Sequence, residues 1–396
     1  MSLVALTLLT LAGWAGAPMI AALAHGAAPA TRPHASAPER APGVARSARA
    51  APAPRAASPN AIVDARYAGT EGAVVDGIAR FRTIGAAVAA APREARGRYV
   101  VYIRNGRYRE KLLVDRPSVT FRGEDRTQTV LTYDDNADTK GADGQPVGTR
   151  GSWTLKVVAP DFSLENMTVE NAFDYIANYR KAADDPTRVK NAQALAVALG
   201  QGSDRAIFRD CLLTGHQDTL FPDAGRTYFR GCTITGSVDF IFGGGRAVFE
   251  DCDIVSRDRG VSQNNGYVTA ASTPKDQTYG FVFLRDRLRK ETPAMAPGSV
   301  FLGRPWHPSA DPNVRSAVVY IDCRMDDHIG KEGWTRMSSV DASGTRIWYV
   351  PADARFFEYE SKGPGALASA VRLTLTPEQA GAYTLAKIFD GWMPRR

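Results

Sequence analysis

The chain has 396 residues, of which 44% are hydrophobic and 23% are charged, so it can bury a core and is not a disordered protein by composition. Its four cysteines are too few for a disulfide scaffold of this length. The net charge is +7, of which residues 1–60 contribute +4 through five arginines and one glutamate, leaving +3 for the rest. That small excess does not indicate a nucleic-acid binder, but it is compatible with an anionic substrate.

The N-terminal segment, residues 1–24, carries no charged side chain, and residues 3–23 are almost all apolar. It ends in Ala22-Leu23-Ala24, the small-x-small pattern that precedes signal-peptide cleavage. We therefore predict a signal peptide and a secreted protein with no stable membrane association. Its location would be extracellular, or else the periplasm or the outer cell surface. Because the apolar run is nearly long enough to span a bilayer and lacks a basic residue before it, an uncleaved anchor remains the alternative.

Residues 25–60 are predicted to form a linker. Positions 26–59 hold 13 alanines and 7 prolines and almost no aliphatic side chains. Such a segment cannot bury enough surface to offset the entropy of ordering it, so we expect a disordered or extended tether. The folded domain is therefore expected to span residues 61–396.

Three segments in the middle of the chain repeat one pattern. Each combines an arginine, alternating apolar residues and a phenylalanine, and each is followed closely by a cysteine. The spacing between the copies is 21 and then 20 residues, and it carries strand-like alternation, which indicates a solenoid of stacked β-coils. We predict an all-β, single-domain, right-handed parallel β-helix, because the leucine-rich signature is absent and parallel crossovers are right-handed. The copies start at Asp204, Gly225 and Gly245 and lead to Cys211, Cys232 and Cys252.

Short helices are expected to cap this solenoid, because its ends would otherwise expose strand edges. Residues 81–91 have helical apolar spacing near the start of the domain. Near its end, Thr376-Pro377-Glu378-Gln379 forms a capping-box sequence. Apolar residues follow it up to Gly391, so a C-terminal helix is predicted to pack against the coils.

The cysteines are candidates for a disulfide. Cys232 and Cys252 are one coil apart, which would place them at the spacing of neighbouring strands, about 4.8 Å, within the Cα range of a disulfide. A secreted chain permits that bond. Cys211 is placed equally well beside Cys232, and a stack of reduced cysteines is the alternative, so the sequence leaves the pairing open.

Two aspartates share the coil period. Asp218 and Asp239 are 21 residues apart, so they should lie on one face of adjacent coils, about one strand spacing apart. Two carboxylates so close cannot both ionise easily, so one can stay charged as a nucleophile while the other holds a proton as an acid. Both aspartates could instead end turns, but Asp239 lies inside a strand-like apolar run, which argues against that role.

These residues also carry a resemblance to the pectin methylesterases, and to their bacterial members in particular. Five motifs occur in the order found in that family, spread over about 200 residues, and the similarity extends from about residue 61 to the C-terminus. The family is known for a right-handed parallel β-helix, in agreement with the repeat. The motifs are Gly106–Glu110, Gln193-Ala194, Gln217-Asp218-Thr219-Leu220, the octapeptide from Gly236 to Gly243, and Leu302-Gly303-Arg304-Pro305-Trp306.

The resemblance implies a role for each matching residue. Asp239 corresponds to the nucleophile that attacks the C6 methyl ester of galacturonate, and Asp218 to the acid and base. Arg304 corresponds to the cation that holds the nucleophile ionised, and Gln193 and Gln217 to the amides that donate to the oxyanion. The substrate-binding positions implied are Thr149, Gln193, Phe221, Phe242, Arg304, Trp306 and Met337.

Two positions depart from the family pattern. Residue 221 is Phe where Tyr is frequent, and residue 216 is His where an aromatic residue is usual, which affects substrate preference more than chemistry. His216 invites a Ser-His-Asp interpretation, but no G-x-S-x-G elbow accompanies it, so a packing role is expected. No metal-ligand spacing is present, and we expect a monomer without metal or cofactor.

Three functions were weighed for this fold. The preferred prediction is hydrolysis of the methyl esters of homogalacturonan, or pectin, to pectate and methanol. A β-helix hydrolase or lyase that cuts the polysaccharide chain is one alternative, but it leaves Gln193, Gln217 and Arg304 unexplained. A solenoid that binds acidic polysaccharide without catalysis is another, because a fold alone does not fix function.

Overall fold

Three parallel sheets wind around a common core in the computed structural model, which describes residues 58–394. Most coils contribute one strand to each sheet, so strands that pair in parallel are about one coil apart in sequence, while Val74–Val75 pairs antiparallel with Ile78–Phe81 at one edge of the first sheet. This confirms the predicted parallel β-helix. The first sheet contains twelve strands: Val74–Val75, Ile78–Phe81, Ala61–Val63, Tyr99–Ile103, Val119–Gly123, Ser163–Glu165, Ala206–Arg209, Arg226–Arg230, Arg246–Glu250, Phe281–Leu284, Ala317–Ile321 and Arg355–Tyr359.

The other two sheets complete each coil. The second sheet has eight strands: Gly106–Arg109, Thr129–Tyr133, Thr168–Asn171, Leu212–Thr214, Thr233–Gly236, Asp253–Ser256, Arg287–Lys290 and Arg324–Met325. The third has seven: Leu112–Val114, Leu155–Val157, Val197–Leu199, Leu220–Pro222, Val238–Gly243, Gly266–Ala271 and Val300–Gly303. A separate antiparallel hairpin joins Met337–Val340 to Arg346–Tyr349.

Stacked aromatic rings fill the interior of the first sheet. The repeat places Phe208, Phe229, Phe249, Phe283 and Tyr320 at the same register position of successive coils. Their rings stack with centroids 4.4–4.7 Å apart, and each is fully buried. Burial of one such side chain contributes about 1.5–3 kcal/mol, so the ladder holds neighbouring coils in register.

The cysteines form a ladder of free thiols, and the predicted disulfide between Cys232 and Cys252 is absent from it. The thiols of Cys211, Cys232 and Cys252 each donate to a carbonyl two residues earlier in their own chain segment, at 3.0, 3.5 and 3.5 Å. Cys211, Cys232 and Cys252 directly precede paired strands of three successive coils in the second sheet, and no two of them are bonded. The reduced stack is therefore the arrangement found.

Four α-helices and three 3₁₀ turns occur in the described residues. Helix Ile84–Ala89, N-capped by Thr83, buries Ile84, Ala87 and Val88 against the first coils, as predicted. The expected C-terminal helix is instead two short helices, because Thr384 caps a new start after the capping-box helix. The remaining elements are Tyr175–Arg180, Pro377–Ala380 and Leu385–Ile388, with 3₁₀ turns at Thr149–Gly151, Pro308–Ala310 and Pro351–Asp353.

The C-terminal pair covers the side of the solenoid. Ile388 and Phe389 are fully buried against outward-facing residues of the first sheet, including Tyr228 and Val248. Asn60 already exchanges hydrogen bonds with Val100 at the first strand, so the ordered domain includes this residue just before the predicted boundary. The predicted signal peptide lies outside the described residues, as does most of the predicted linker. No helix within residues 58–394 is long and apolar enough to cross a membrane.

Candidate active site

A cavity of about 560 Å³ lies on the outer face of the third sheet. All of the predicted catalytic and substrate-binding residues line it, including Met337, which arrives on the antiparallel hairpin. We call it the central cavity. Its lining residues are Val147, Gly148, Thr149, Arg150, Gln193, Gln217, Asp218, Phe221, Asp239, Phe242, Ala270, Arg304, Trp306 and Met337.

The two aspartates lie on adjacent coils, as the 21-residue spacing predicted. The amide of Asp218 donates to the carbonyl of Val238 at 3.0 Å, directly beside Asp239. Both aspartates adopt left-handed backbone conformations, with φ of 64° and 49°, which aspartate tolerates better than most residues. The pairing of Val238–Gly243 with the next coil shifts register between Val238 and Ile241. A bulge of this kind turns a side chain out of the strand pattern, and here it affects Asp239.

Arg304 clamps Asp239 through two parallel hydrogen bonds. Nε donates to Oδ1 at 2.8 Å and the terminal nitrogen donates to Oδ2 at 2.5 Å. This fork geometry belongs to an ionised carboxylate. The residue before Arg304, Gly303, lets this strand lie close to the neighbouring coil, because a Cβ there would be 2.0 Å from the hydroxyl of Thr269.

Tyr267 supports the arginine from the other side. The guanidinium carbon of Arg304 lies 3.9 Å from the Tyr267 ring centroid, and that ring stacks on Phe301, one coil further on, at 5.7 Å. A cation over an aromatic face is attracted to it. Burial opposes the charge on Arg304, but Asp239 outweighs this, so the pKa of the arginine is raised. The clamp therefore stays positively charged.

The environment of Asp218 favours its protonated form. Burial raises the pKa of Asp218 well above its ordinary value, the negative charge of Asp239 raises it further, and Arg304 only partly opposes them. The two carboxyl groups thus differ in environment: Asp239 is paired with a guanidinium, whereas the surroundings of Asp218 favour its neutral form. This is the division that a nucleophile and a general acid require.

Two side-chain amides border the pair. Gln193 and Gln217 both line the central cavity, and their backbones are linked through Ala194, whose amide donates to the carbonyl of Gln217 at 3.1 Å. The side-chain oxygen of Gln193 is buried and has no hydrogen-bond partner among the described residues. The Nε2 group of each amide can donate to charge that develops on a substrate oxygen.

Aromatic rings form the walls. Phe221 and Phe242 occupy the same register position on adjacent coils and stack at 4.3 Å. Trp306 stands over Phe242 at 5.6 Å with its ring plane at 63°. Phe221 and Phe242 cover each other's faces and are 3% and 4% exposed, so Trp306 is the ring of the three with surface left for a sugar.

His216 packs beside the site and takes no part in the aspartate pair. Its ring stacks on Tyr175 of helix Tyr175–Arg180 at 5.1 Å, and its Nδ1 has no partner among the described residues. Burial and the nearby charges of Arg257 and Arg259 lower the pKa of His216 to about 3, so the ring is neutral near neutral pH. This agrees with the predicted packing role.

Sequence reasoning missed Tyr267 and four cavity residues, which are Val147, Gly148, Arg150 and Ala270. Ala270 follows Phe242 in register on the next coil, so extension of the repeat would have found it. Val147, Gly148 and Arg150 are close neighbours of Thr149 in the chain, and of these only Arg150 carries a charge that could have marked it. Within the described residues, no cluster of three or more His, Cys, Asp or Glu could hold a metal ion.

A parallel β-helix that carries a clamped and an unclamped aspartate in an aromatic-walled cavity is an arrangement that suits a carbohydrate-active hydrolase. Residues 73–391 match the pectinesterase family. Pectinesterase A of Dickeya chrysanthemi is 42% identical over 325 residues, which cover 79% of this chain and 88% of that protein. The chain therefore belongs to the pectinesterase family and is a carboxylic ester hydrolase.

Solved structures agree with this assignment. A crystal structure of a pectin methylesterase in complex with a hexasaccharide superposes with a TM-score of 0.81 at 39% identity, covering 86% of this chain and all of that one. The pectin methylesterase of Erwinia chrysanthemi gives a TM-score of 0.79 at 40% identity, covering 86% of this chain and 99% of that one. The family favours ester hydrolysis over the two alternatives drawn from the sequence.

Proposed function

We propose that this enzyme hydrolyses the C6 methyl esters of homogalacturonan, giving pectate and methanol. The observation that carries the proposal is the pair of unlike aspartates: Asp239 clamped as an anion by Arg304, and Asp218 kept protonated beside it. The pair lies in a cavity with flat aromatic walls. An anionic nucleophile next to a neutral acid, with sugar-binding faces around them, suits hydrolysis of an ester on a polysaccharide.

Acylation begins at the clamped carboxylate. An oxygen of Asp239 attacks the ester carbonyl carbon, and the carbonyl oxygen becomes negatively charged while the Gln193 and Gln217 amides donate to it. As the tetrahedral intermediate collapses, the bond to the methoxy group breaks and Asp218 gives that group its proton. Methanol leaves, and the galacturonate acyl group stays bound to Asp239 as a mixed anhydride.

Deacylation reverses the role of the second aspartate. Asp218, now a carboxylate, takes a proton from a water molecule whose oxygen attacks the acyl carbon of the anhydride. The bond to Asp239 breaks, which releases a galacturonate carboxyl group and restores the clamped anion. Because burial raises the pKa of Asp218, this residue regains its proton for the next cycle.

The substrate is expected to lie along the stacked rings. The half-buried Trp306 offers a ring face to a sugar unit, Phe221 and Phe242 present the edges of their stacked rings, and Thr149 and Met337 border the same cavity. We propose that pectin with some esterified and some free units is the natural substrate, with no nucleic-acid partner and no cofactor. We further propose a monomer, which light scattering coupled to gel filtration tests.

The test of this function is methanol release from highly esterified pectin. We expect the wild type to release methanol without forming new reducing ends or unsaturated products. Asp239→Asn keeps the shape but removes the nucleophile, so it should abolish release. Asp210→Asn is the matched control, because Asp210 also has a positive φ but is exposed on a turn. Methanol release by Asp239→Asn at the rate of this control would contradict the covalent mechanism.

We also propose that residues 1–24 direct secretion and that residues 25–60 tether the catalytic domain. The apolar start and the Ala-x-Ala end of the first segment support this proposal. N-terminal sequencing of protein recovered from the culture medium tests it. A mature chain that begins near residue 25 is the expected result, and a chain that keeps Met1 in the membrane fraction would favour an uncleaved anchor.

A further inference from the structure

A second large cavity lies on the outer face of the first sheet, and we call it the rear cavity. Its volume is about 660 Å³, and none of its described lining residues belongs to the central cavity on the third sheet. Outward-facing residues of strands Ser163–Glu165 and Ala206–Arg209 line it, and Trp392 and Met393 of the C-terminal segment border it. The rear cavity is therefore separate from the space in which the ester reacts.

Both acidic residues that line the rear cavity are already paired with arginines. Arg205 donates two hydrogen bonds to Asp161, at 2.8 and 2.7 Å, and Arg122 donates to Glu165 at 2.8 Å. Arg209 lines the same cavity but forms no ion pair with any residue between 58 and 394. Its terminal nitrogen Nη2 is buried and has no hydrogen-bond partner in that range. The cavity thus contains a guanidinium whose charge its own carboxylates do not balance.

A second arginine without an ion pair lies directly beside the first. Strand register places Arg230 opposite Arg209 on the next coil, and it too has no ionic partner among the described residues. Glu250 follows Arg230 in the same row, but it binds Arg285 and the hydroxyl of Tyr228. Like charges opposite each other on paired strands repel. A bound anion would relieve this repulsion.

The other border of the rear cavity is apolar. Trp392 is half-buried, and Met393 is 52% exposed. The Trp392 ring packs on Phe389 with the ring centroids 4.9 Å apart, which fixes its position at the edge of the cavity. A guanidinium pairs with a carboxylate, and an indole ring packs against an apolar surface such as that of a sugar ring. A sugar acid can use both features, whereas an inorganic anion can use only the first.

We propose that the rear cavity binds unesterified galacturonate units of the product polymer, with a carboxylate paired to Arg209 and the sugar ring against Trp392. This inference rests on the proposed function, because each hydrolysed ester leaves one such carboxylate on the polymer. A methyl ester is neutral and cannot pair with the guanidinium. A long polymer held in both cavities at once binds more tightly than a short oligomer held in the central cavity alone. The rear cavity thus keeps the enzyme on polymer that it has partly de-esterified.

Electrophoresis of the native protein through a gel that contains pectate measures this binding. Because pectate also enters the central cavity, the chains carry Trp306→Ala to impair that cavity and Asp239→Asn to prevent hydrolysis of esterified ligands. In this background, Arg209→Met should raise the Kd for pectate about tenfold, the size typical of a lost charge-assisted hydrogen bond. Added salt should weaken the binding of the parent chain more than that of the Arg209→Met chain. Equal retardation of the two chains by pectate would overturn the proposal.

Controls separate the site from a general effect of charge. Arg324→Met removes the same charge from an exposed position on the second sheet, and it should leave the Kd for pectate unchanged. Fully esterified pectin keeps the sugar without the charge, and polyglutamate keeps the carboxylates without the sugar. Both should retard the parent chain less than pectate does. If either retards it as strongly as pectate, the assignment to a sugar acid is wrong.

Turnover in the otherwise wild-type enzyme gives a second measurement. Arg209→Met should raise KM on long, partly esterified pectin, because the polymer then loses its second point of attachment. KM on a short esterified oligomer and kcat on both substrates should stay unchanged, since binding remote from the reacting carbon stabilises ground and transition states alike. Equal changes of KM on the two substrates, or no change on either, would contradict a role for the rear cavity.

The same data separate this inference from the proposed function. Methanol release by the wild type from the short esterified oligomer tests the function alone. If the wild type releases methanol but Arg209→Met leaves the Kd for pectate unchanged, only the role of the rear cavity is wrong. If the wild type releases no methanol, the proposed function itself fails, and the gel alone then decides whether pectate binds through Arg209.

Discussion

The bidentate pair between Arg304 and Asp239 makes a quantitative prediction about stability. The side chains of the two residues are 21% and 9% exposed, and both carboxylate oxygens accept from the guanidinium. Arg304→Met removes the cation but keeps an unbranched apolar side chain of similar reach. It leaves a buried carboxylate beside a second acidic group, Asp218.

Removal of one partner from a buried pair costs about 3–5 kcal/mol, because the other charge is left buried without compensation. We therefore expect Arg304→Met to lower the free energy of unfolding by about this amount. Asp239→Asn in the same chain removes the stranded charge, so the double variant should recover most of the loss. The resulting coupling energy should exceed about 2 kcal/mol, near the upper part of the range for interacting residues.

Urea unfolding of the four chains gives the double-mutant cycle, and methanol release follows activity in parallel. Arg287 and Asp253 supply a matched control cycle, because they form a bidentate pair at 2.7 and 2.8 Å in which the arginine side chain is 60% exposed. That pair should couple by less than about 1 kcal/mol. If the two cycles give equal coupling, solvent screens the catalytic clamp and the argument from burial is refuted.

Three further predictions concern residues around and below the site. Tyr267→Leu should lower kcat about tenfold at unchanged KM, because a desolvated cation–π contact is worth about 1–2 kcal/mol. Tyr267→Phe keeps the ring and should have the kcat of the wild type. Equal losses of kcat in the two variants would refute a role for the ring face. His216→Phe should preserve the pH profile of kcat, since burial lowers the pKa of His216 to about 3. If one side of that pH profile disappeared in the variant, His216 would be a proton carrier. Burial raises the pKa of Asp286 above its unfolded value. As the pH rises between those two pKa values, the wild type should therefore lose up to about 1.4 kcal/mol of stability per pH unit. Asp286→Asn should show a flatter pH dependence of the free energy of unfolding in urea.

Much of the site could be predicted because the coil period is short and regular around it. Spacings of 20–21 residues fix which side chains stack on neighbouring parallel strands. The same spacing brings Asp218 beside Asp239 and Phe221 onto Phe242, with no need to know the rest of the molecule. The resemblance to pectin methylesterases added the roles of residues that the period does not reach.

The period lengthens beyond Cys252, and there sequence spacing loses its predictive value. Ile241 pairs with Thr269, and Thr269 with Gly303, across insertions of different lengths. The sequence alone therefore could not place Tyr267 beneath Arg304. The cysteines show the same limit: their spacing left a bond between Cys232 and Cys252 and a reduced stack equally open, and the structure has free thiols.

The sequence by itself therefore determined the β-helix, the aspartate pair and the aromatic floor, because each depends on contacts between adjacent coils. The tertiary structure decided the protonation of Asp218, which depends on burial by many residues at once. It also decided that Met337 and Arg150, nearly 190 positions apart in the chain, border one cavity. Loops and hairpins of variable length carry these groups to the site, and no local repeat encodes where such segments fold back.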